Sequence, residues 1–272
     1  MKNKEFEERI YNWIFNLKQH LIKNKKEIFI RFSVFILIFT TILLIDQLTK
    51  TFIFNHGDIF KLDANEKVPI IYEGNEIKIK AEEIFPINKS DWIDWKIIGF
   101  RSIWHGGVTI GNIPLWIVRI ISIIVVLFSF SATFFMKKTN WFLIVLLALV
   151  AAGSSGNELD RILFKGHVKD IFYFPFTKNS RFLDGTFNFA DVVIITGIIL
   201  LIVYFVISFV KETKQENREK KEQEFEEKIL IAELKSHDQK LKIINTNKKI
   251  ARRSSKLQKS RRAWKIISKN KK

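Results

Sequence analysis

Four predominantly apolar runs constrain this chain before any motif is read: residues 28–54, 115–136, 141–164 and 190–210. Each is long enough to cross a hydrocarbon core, which takes about 20 residues of helix. The first run is not expected to be a cleaved leader, whose apolar core would be about 7 to 15 residues followed by small residues at a cleavage site. Four spanning helices are therefore expected, and they divide the chain into a segment 1–27, a membrane region 28–210 with a long connecting loop 55–114, and a tail 211–272.

Charge orients the spans. Lys and Arg concentrate on the cytoplasmic side of membrane helices, and here the clusters are Lys23, Lys25 and Lys26, then Lys137 and Lys138, then Lys211 and Lys214. An even number of spans lets all three face the cytoplasm, so both termini are expected there and the segments 51–114 and 165–189 outside. In the first outer segment, VPIIY and IKIKA alternate apolar and polar residues around a Gly-Asn turn, the pattern of a β-hairpin. Residues 1–27 carry Phe6, Ile10, Trp13, Ile14, Leu17 and Leu21 at amphipathic helical spacing, suited to lying along a membrane surface.

The net charge of +17 is carried mostly after Val210, and beyond Lys235 the only acidic residue is Asp238. Such a tail is attracted to anionic lipid headgroups. Nucleic-acid contact is disfavoured, because aromatic interleaving is limited to Trp264. With no cysteine there are no disulfides, thiol nucleophiles or Cys-ligated zinc, and the five histidines (His20, His56, His105, His167, His237) show no paired ligand spacing. Neither a metal nor a cofactor is expected.

Ionisable residues at membrane spans are expensive and point to function. Asp46 and Lys50 lie four apart near the end of the first span, on one helical face, where they can pair. The third span ends in GSSGNELDR, whose small residues allow close packing. There Asn157 and Asp160 share a face, Arg161 must reach another element or a ligand, and Glu158 is expected to face solvent. Asp170 follows in a loop among Val168, Ile171 and aromatics, where burial should raise its pKa. Asn188 and Asp191 open the fourth span. An Asp in a first turn is also explained by capping and the helix dipole. What favours chemistry is that two Asp and two Asn reach one membrane depth. Two carboxylates sharing a proton can hydrolyse a peptide bond through an activated water. Ser154 and Ser155 have only His167 as a candidate base.

Four blocks together resemble the lipoprotein signal peptidase (signal peptidase II) family: DQLTK at 46–50, GNELDR at 156–161, VKDIFYF at 168–174 and FNFAD at 187–191. The resemblance covers about residues 28–210. It implies an all-α bundle of four transmembrane helices with a small extracytoplasmic β-sheet cradle, in the plasma membrane, with the site near the outer leaflet. It further implies an aspartyl endopeptidase that cleaves prolipoproteins before a diacylglyceryl-modified cysteine, acting as a monomer. Asp170 and Asp191 would be the catalytic pair. Asn157, Asp160, Arg161 and Asn188 would shape the site or hold substrate backbone, and Asp46 would be structural. One block departs from the family: an Asn-Thr-Gly-Ala-Ala-Phe-like segment is replaced by His105, Gly106, Gly107, Val108, Thr109 and Ile110. His105 either donates to substrate in place of the Asn or changes that contact, and altered substrate preference is expected. Two other classes compete. A transporter would use the Asp residues as a relay, but it would place them nearer the midplane; a noncatalytic adaptor would act through the basic tail.

Overall fold

The computed structural model describes residues 2–106, 114–136, 138–177 and 185–269. Gly107, Val108, Thr109, Ile110 and Lys137 lie outside the described residues, as do the side chains of Asp238 and Trp264. In chain order the elements are α1 (Lys2–Lys23), α2 (Lys25–Ile53), β1 (Lys67–Tyr72), β2 (Asn75–Lys80), β3 (Ile93–Asp94), β4 (Gly99–His105), α3 (Leu115–Phe135), α4 (Trp141–Leu163), β5 (Val168–Tyr173) and α5 (Phe189–Lys269). Among the described residues, four helices are long and apolar enough to cross a membrane: α2, α3, α4 and the part of α5 from Phe189 to Lys235.

Between apolar helices in lipid, association rests on close packing and polar contacts rather than on transfer from water. The inner helix is α4, whose Ile144, Leu147, Ala148 and Ala151 cluster with Phe35 of α2. Phe130 of α3 meets Phe35 edge-on, with ring centroids 4.8 Å apart. One glycine is required by this approach: a Cβ on Gly156 would stand 2.5 Å from Asp46 Oδ2. At the opposite end of the bundle, buried Arg31 donates from Nη1 to Met136 O at 2.6 Å and satisfies a carbonyl at the C-terminus of α3.

The segment between α2 and α3 folds as β1 and β2 plus the start of a second sheet, ordered β3-β4-β5 and antiparallel throughout. The hairpin turn falls one residue earlier than the sequence suggests. Its central residues are Glu73 and Gly74, with φ of 49° and 79°, while Asn75 already pairs with Tyr72 in the ladder. A two-residue turn of this type needs positive φ at both positions, and glycine at the second is what satisfies it. Ile59, Val68, Ile70, Ile79 and Trp104 form a buried cluster beside these strands.

Asp170 is not in a loop: it lies in β5, opposite Ile103 of β4. Side chains alternate along a strand, and Lys169 points the other way, its ammonium 4.2 Å from the centroid of the Phe164 ring and also over Phe54 and Trp104. Burial among those rings lowers its pKa, with Asp160 acting in opposition. The segment entering α5 then pairs with β5: Phe187 N donates to Phe172 O at 2.8 Å, and Phe172 N donates back to Phe187 O at 2.7 Å. This bridge brings residues 187–191 alongside Asp170.

Two compact units make up the chain, Met1–Tyr204 and Phe205–Lys272. The second is helical through Lys269. Its exposed stretch is rich in Lys and Glu, and Gln215 Nε2 donates to Glu219 Oε1 four residues on, at 2.9 Å.

Candidate active site

The first turn of α5 organises the site. Helix N-termini leave N–H groups without helical partners, and three here find side chains. Asp191 N donates to Asn188 Oδ1 at 3.0 Å, and Asn188 N donates to Asp191 Oδ2 at 3.1 Å, a reciprocal capping pair. Ala190 N donates to Asp46 Oδ1 at 2.9 Å, so the helix start is tied to α2. Capping leaves the rest of both side chains available. Asn188 Nδ2 donates to Asp170 Oδ1 at 2.7 Å, and Asp191 Oδ1 accepts from Asn157 Nδ2 at 2.8 Å. Asn188 thus bridges the two carboxylates.

Behind Asp191 lies a buried cation. Lys50 Nζ is 2.8 Å from Asp46 Oδ2, 3.0 Å from Asp160 Oδ2 and 3.1 Å from Asn157 Oδ1, one acceptor for each ammonium proton. Gln47 Nε2 also reaches Asp46 Oδ2 at 3.1 Å and Asp160 Oδ1 at 3.2 Å. Lys50, Asp46 and Asp160 are all at most 1% exposed. Since Lys50 takes the Asn157 oxygen, the Asn157 amide must present its nitrogen to Asp191. Asp160 Oδ2 further accepts from Lys169 N at 3.1 Å, linking this cluster to β5.

Asp170 is 3% exposed, and burial pushes its carboxyl up to about 6. A hydrogen bond shared with His105 works against that rise, the charge on Asp191 adds to it, and the Asn188 bond lowers it again. A folded-state pKa above the ordinary 3.8 gives stability that is full below pH 3.8 and lost as pH rises through about 6, on the order of 3 kcal/mol in all. Asp170→Asn removes that loss. Its amide can still accept from Asn188 and donate to His105, so its melting temperature in detergent should exceed that of the wild type at pH 7, with the gap closing near pH 4. A lower melting temperature at pH 7 would refute the buried-charge account.

Of the eight residues that the resemblance and its departing block point to as the site, seven join one hydrogen-bonded array: Asp46, His105, Asn157, Asp160, Asp170, Asn188 and Asp191. The eighth, Arg161, stands apart. Its Nη1 is 4.0 Å from Glu158 Oε2 and its Nε is buried without a hydrogen-bond partner among the described residues. Glu158 is not solvent-facing; it is buried and accepts from Arg119 Nε at 2.7 Å. Arg119, a lone charge inside the second apolar run, was the available signal, because such a residue needs a partner. Gln47 carried none, since a single amide beside an ion pair is unremarkable in sequence. No group of three or more His, Asp or Glu among the described residues is arranged to hold a metal.

Fold and site together define a polytopic helical membrane protein whose paired carboxylates sit between a small sheet and the first turn of a spanning helix. The family model for signal peptidase (SPase) II matches residues 38–207, more than half of the chain. A lipoprotein signal peptidase of Malacoplasma penetrans is 33% identical over 141 residues, covering 45% of this chain and 56%, about half, of that relative. One from Desulfitobacterium hafniense is 34% identical over 145 residues, covering 52% of this chain and 89% of its own length. A solved bacterial membrane enzyme aligns over 64% of this chain and 92% of its own, with 22% identity and a TM-score of 0.43. The chain belongs to the signal peptidase II family.

Proposed function

We propose that this protein is a membrane aspartyl endopeptidase that removes signal peptides from prolipoproteins by cutting before a diacylglyceryl-modified cysteine. The observation that carries the reading is the bridging of Asp170 and Asp191 by Asn188, in a chain of the signal peptidase II family. Asp170, whose burial shifts it toward the protonated form relative to an ordinary carboxyl, is the acid that gives its proton to the scissile carbonyl oxygen. A bound lipidated peptide excludes water from it and favours that form further. Asp191, with donors on both oxygens at a helix N-terminus, is the base that takes a proton from the attacking water. The proton then passes to the leaving amine as the tetrahedral intermediate collapses.

Topology belongs to the same proposal. The membrane domain is residues 28–210, flanked by a cytoplasmic amphipathic segment 1–27 and a cytoplasmic tail 211–272 drawn to anionic headgroups, and the protein works as a monomer in the plasma membrane. Its carboxylate pair faces the outer leaflet, where the lipid-anchored cysteine of a translocated substrate resides. The basic clusters flanking the spans support this orientation. Two measurements test it. The purified protein should release the signal peptide from a diacylglyceryl-modified prolipoprotein and leave the unlipidated precursor intact. Reporter fusions should place the 165–189 segment outside; a cytoplasmic location there, or equal cleavage of both precursors, would overturn the proposal.

A further inference from the structure

The block where this sequence leaves the family's pattern opens with His105, whose contact the sequence alone does not decide. His105 ends β4 opposite Val168, so Asp170, two residues along β5, is its diagonal neighbour on the same face of the sheet. The register brings His105 Nδ1 to 3.1 Å from Asp170 Oδ2, while Asn188 holds the other oxygen of that carboxylate. The His105 side chain is 25% exposed, so the ring covers Asp170 yet keeps an edge open. Three carboxylates face it: Asp170 from β5, Asp191 from α5, and Glu82 from the segment after β2, which also accepts from Gly106 N at 3.1 Å. His167 lies against Gly106, next to Glu82.

We propose that His105 is a positioning residue for Asp170 that shares a single proton with it, holding that proton while the site is empty and yielding it to Asp170 when a peptide carbonyl arrives. The proposal rests on the peptidase reading above. An imidazolium beside an ionised carboxylate and a neutral imidazole beside a protonated carboxyl contain the same number of protons. They differ only in whether the proton is on Nδ1 or Oδ2. With the open edge of His105 in contact with water the charged pair is favoured; once a lipidated peptide covers that edge, the neutral pair is favoured instead. The proton therefore moves to Oδ2, where the acid role needs it, and returns along the same path when the intermediate collapses. Only water is consumed.

A consequence separates this role from packing. The dyad loses its working proton with the affinity of an imidazole facing three carboxylates, and the bond to Asp170 raises that affinity above the ordinary value against the opposing effect of burial. An asparagine at 105 can still donate to Asp170 but holds no titrating proton. Comparing full-length wild type and H105N on a diacylglyceryl-modified prolipoprotein from about pH 5 to 9 should show the alkaline limb of kcat/KM lower by roughly one unit in the variant. Superimposable profiles would overturn the proposal. A second readout does not depend on the variant's folding. In 15N-histidine spectra, the His105 ring should titrate at lower pH in D170N than in wild type, and an unchanged midpoint would also overturn it. D170N and D191N assayed alongside keep the two readings distinct: if either cleaves at the wild-type rate, the assignment of the Asp170–Asp191 dyad fails; if both are inactive and only the His105 shifts are missing, that assignment stands and this one falls.

Discussion

Asp191→Asn should reduce prolipoprotein cleavage by about 10²–10⁴-fold, the range over which positioned acids and bases contribute, and it should also destabilise the protein. Asparagine is nearly the same size, so the loss is chemical: an amide cannot take a proton from water. The stability cost follows from the hydrogen bonds. Asp191 accepts on both oxygens, from Asn157 Nδ2 and from Asn188 N. An asparagine has one oxygen and leaves its own NH₂ facing one of those donors. Asn157 cannot turn its amide to compensate, because Lys50 already holds the Asn157 oxygen. One buried bond is lost, at about 1 kcal/mol, and part of the helix cap with it. Asp170→Asn should be equally inactive but more stable at neutral pH, for the reasons given with its raised pKa. Two inactive variants with melting temperatures displaced in opposite directions would be hard to obtain from any arrangement other than this one. Wild-type cleavage by either would sink the dyad.

What the sequence revealed and what it hid have a common cause. Apolar runs and i,i+4 spacing report on one helix at a time, and on that scale the sequence is legible: the four long apolar helices and the Asp46–Lys50 contact are both visible in it. Asp191 posed a choice between cap and chemistry, yet the structure gives the side chain a cap contact on one oxygen and a site contact on the other. The two uses do not compete, since a carboxylate has two oxygens. Asp160 was assigned to the site but not to Lys50, because nothing local connects residues over a hundred positions apart. Glu158 was placed in solvent for the same reason: its partner Arg119 sits on a different helix. Asp170 was read as a loop acid because the aromatic run around it has no clean alternation. Its strand exists through pairing with β4 and Phe187, which is tertiary information.

Lys50 is where the larger effect on stability is expected. Lys50→Met keeps nearly the same volume and removes only the charge, leaving Asp46 and Asp160 buried with no cation between them. Breaking a buried ion pair on one side costs about 3–5 kcal/mol, because the remaining charge stays desolvated. The loss should appear as a fall of many degrees in melting temperature, or as failure to accumulate in the membrane. Activity should fall too, by a separate route. Without Lys50 on its oxygen, the Asn157 amide is free to turn, and Asp191 loses the donor that fixes its orientation. Lys50→Arg is no remedy, since a planar fork cannot replace one ammonium directed at three acceptors. The restoring change is Asp46→Asn combined with Lys50→Met, which removes one carboxylate along with the cation while keeping an oxygen to accept from Ala190 N. Stability should recover in part, and cleavage should remain low because Asn157 is still unclamped. If the single Lys50→Met variant were instead as stable and as active as the wild type, Lys50 would be a passive helix-end partner of Asp46. The ordering of Asn157, and through it of Asp191, would then need another source.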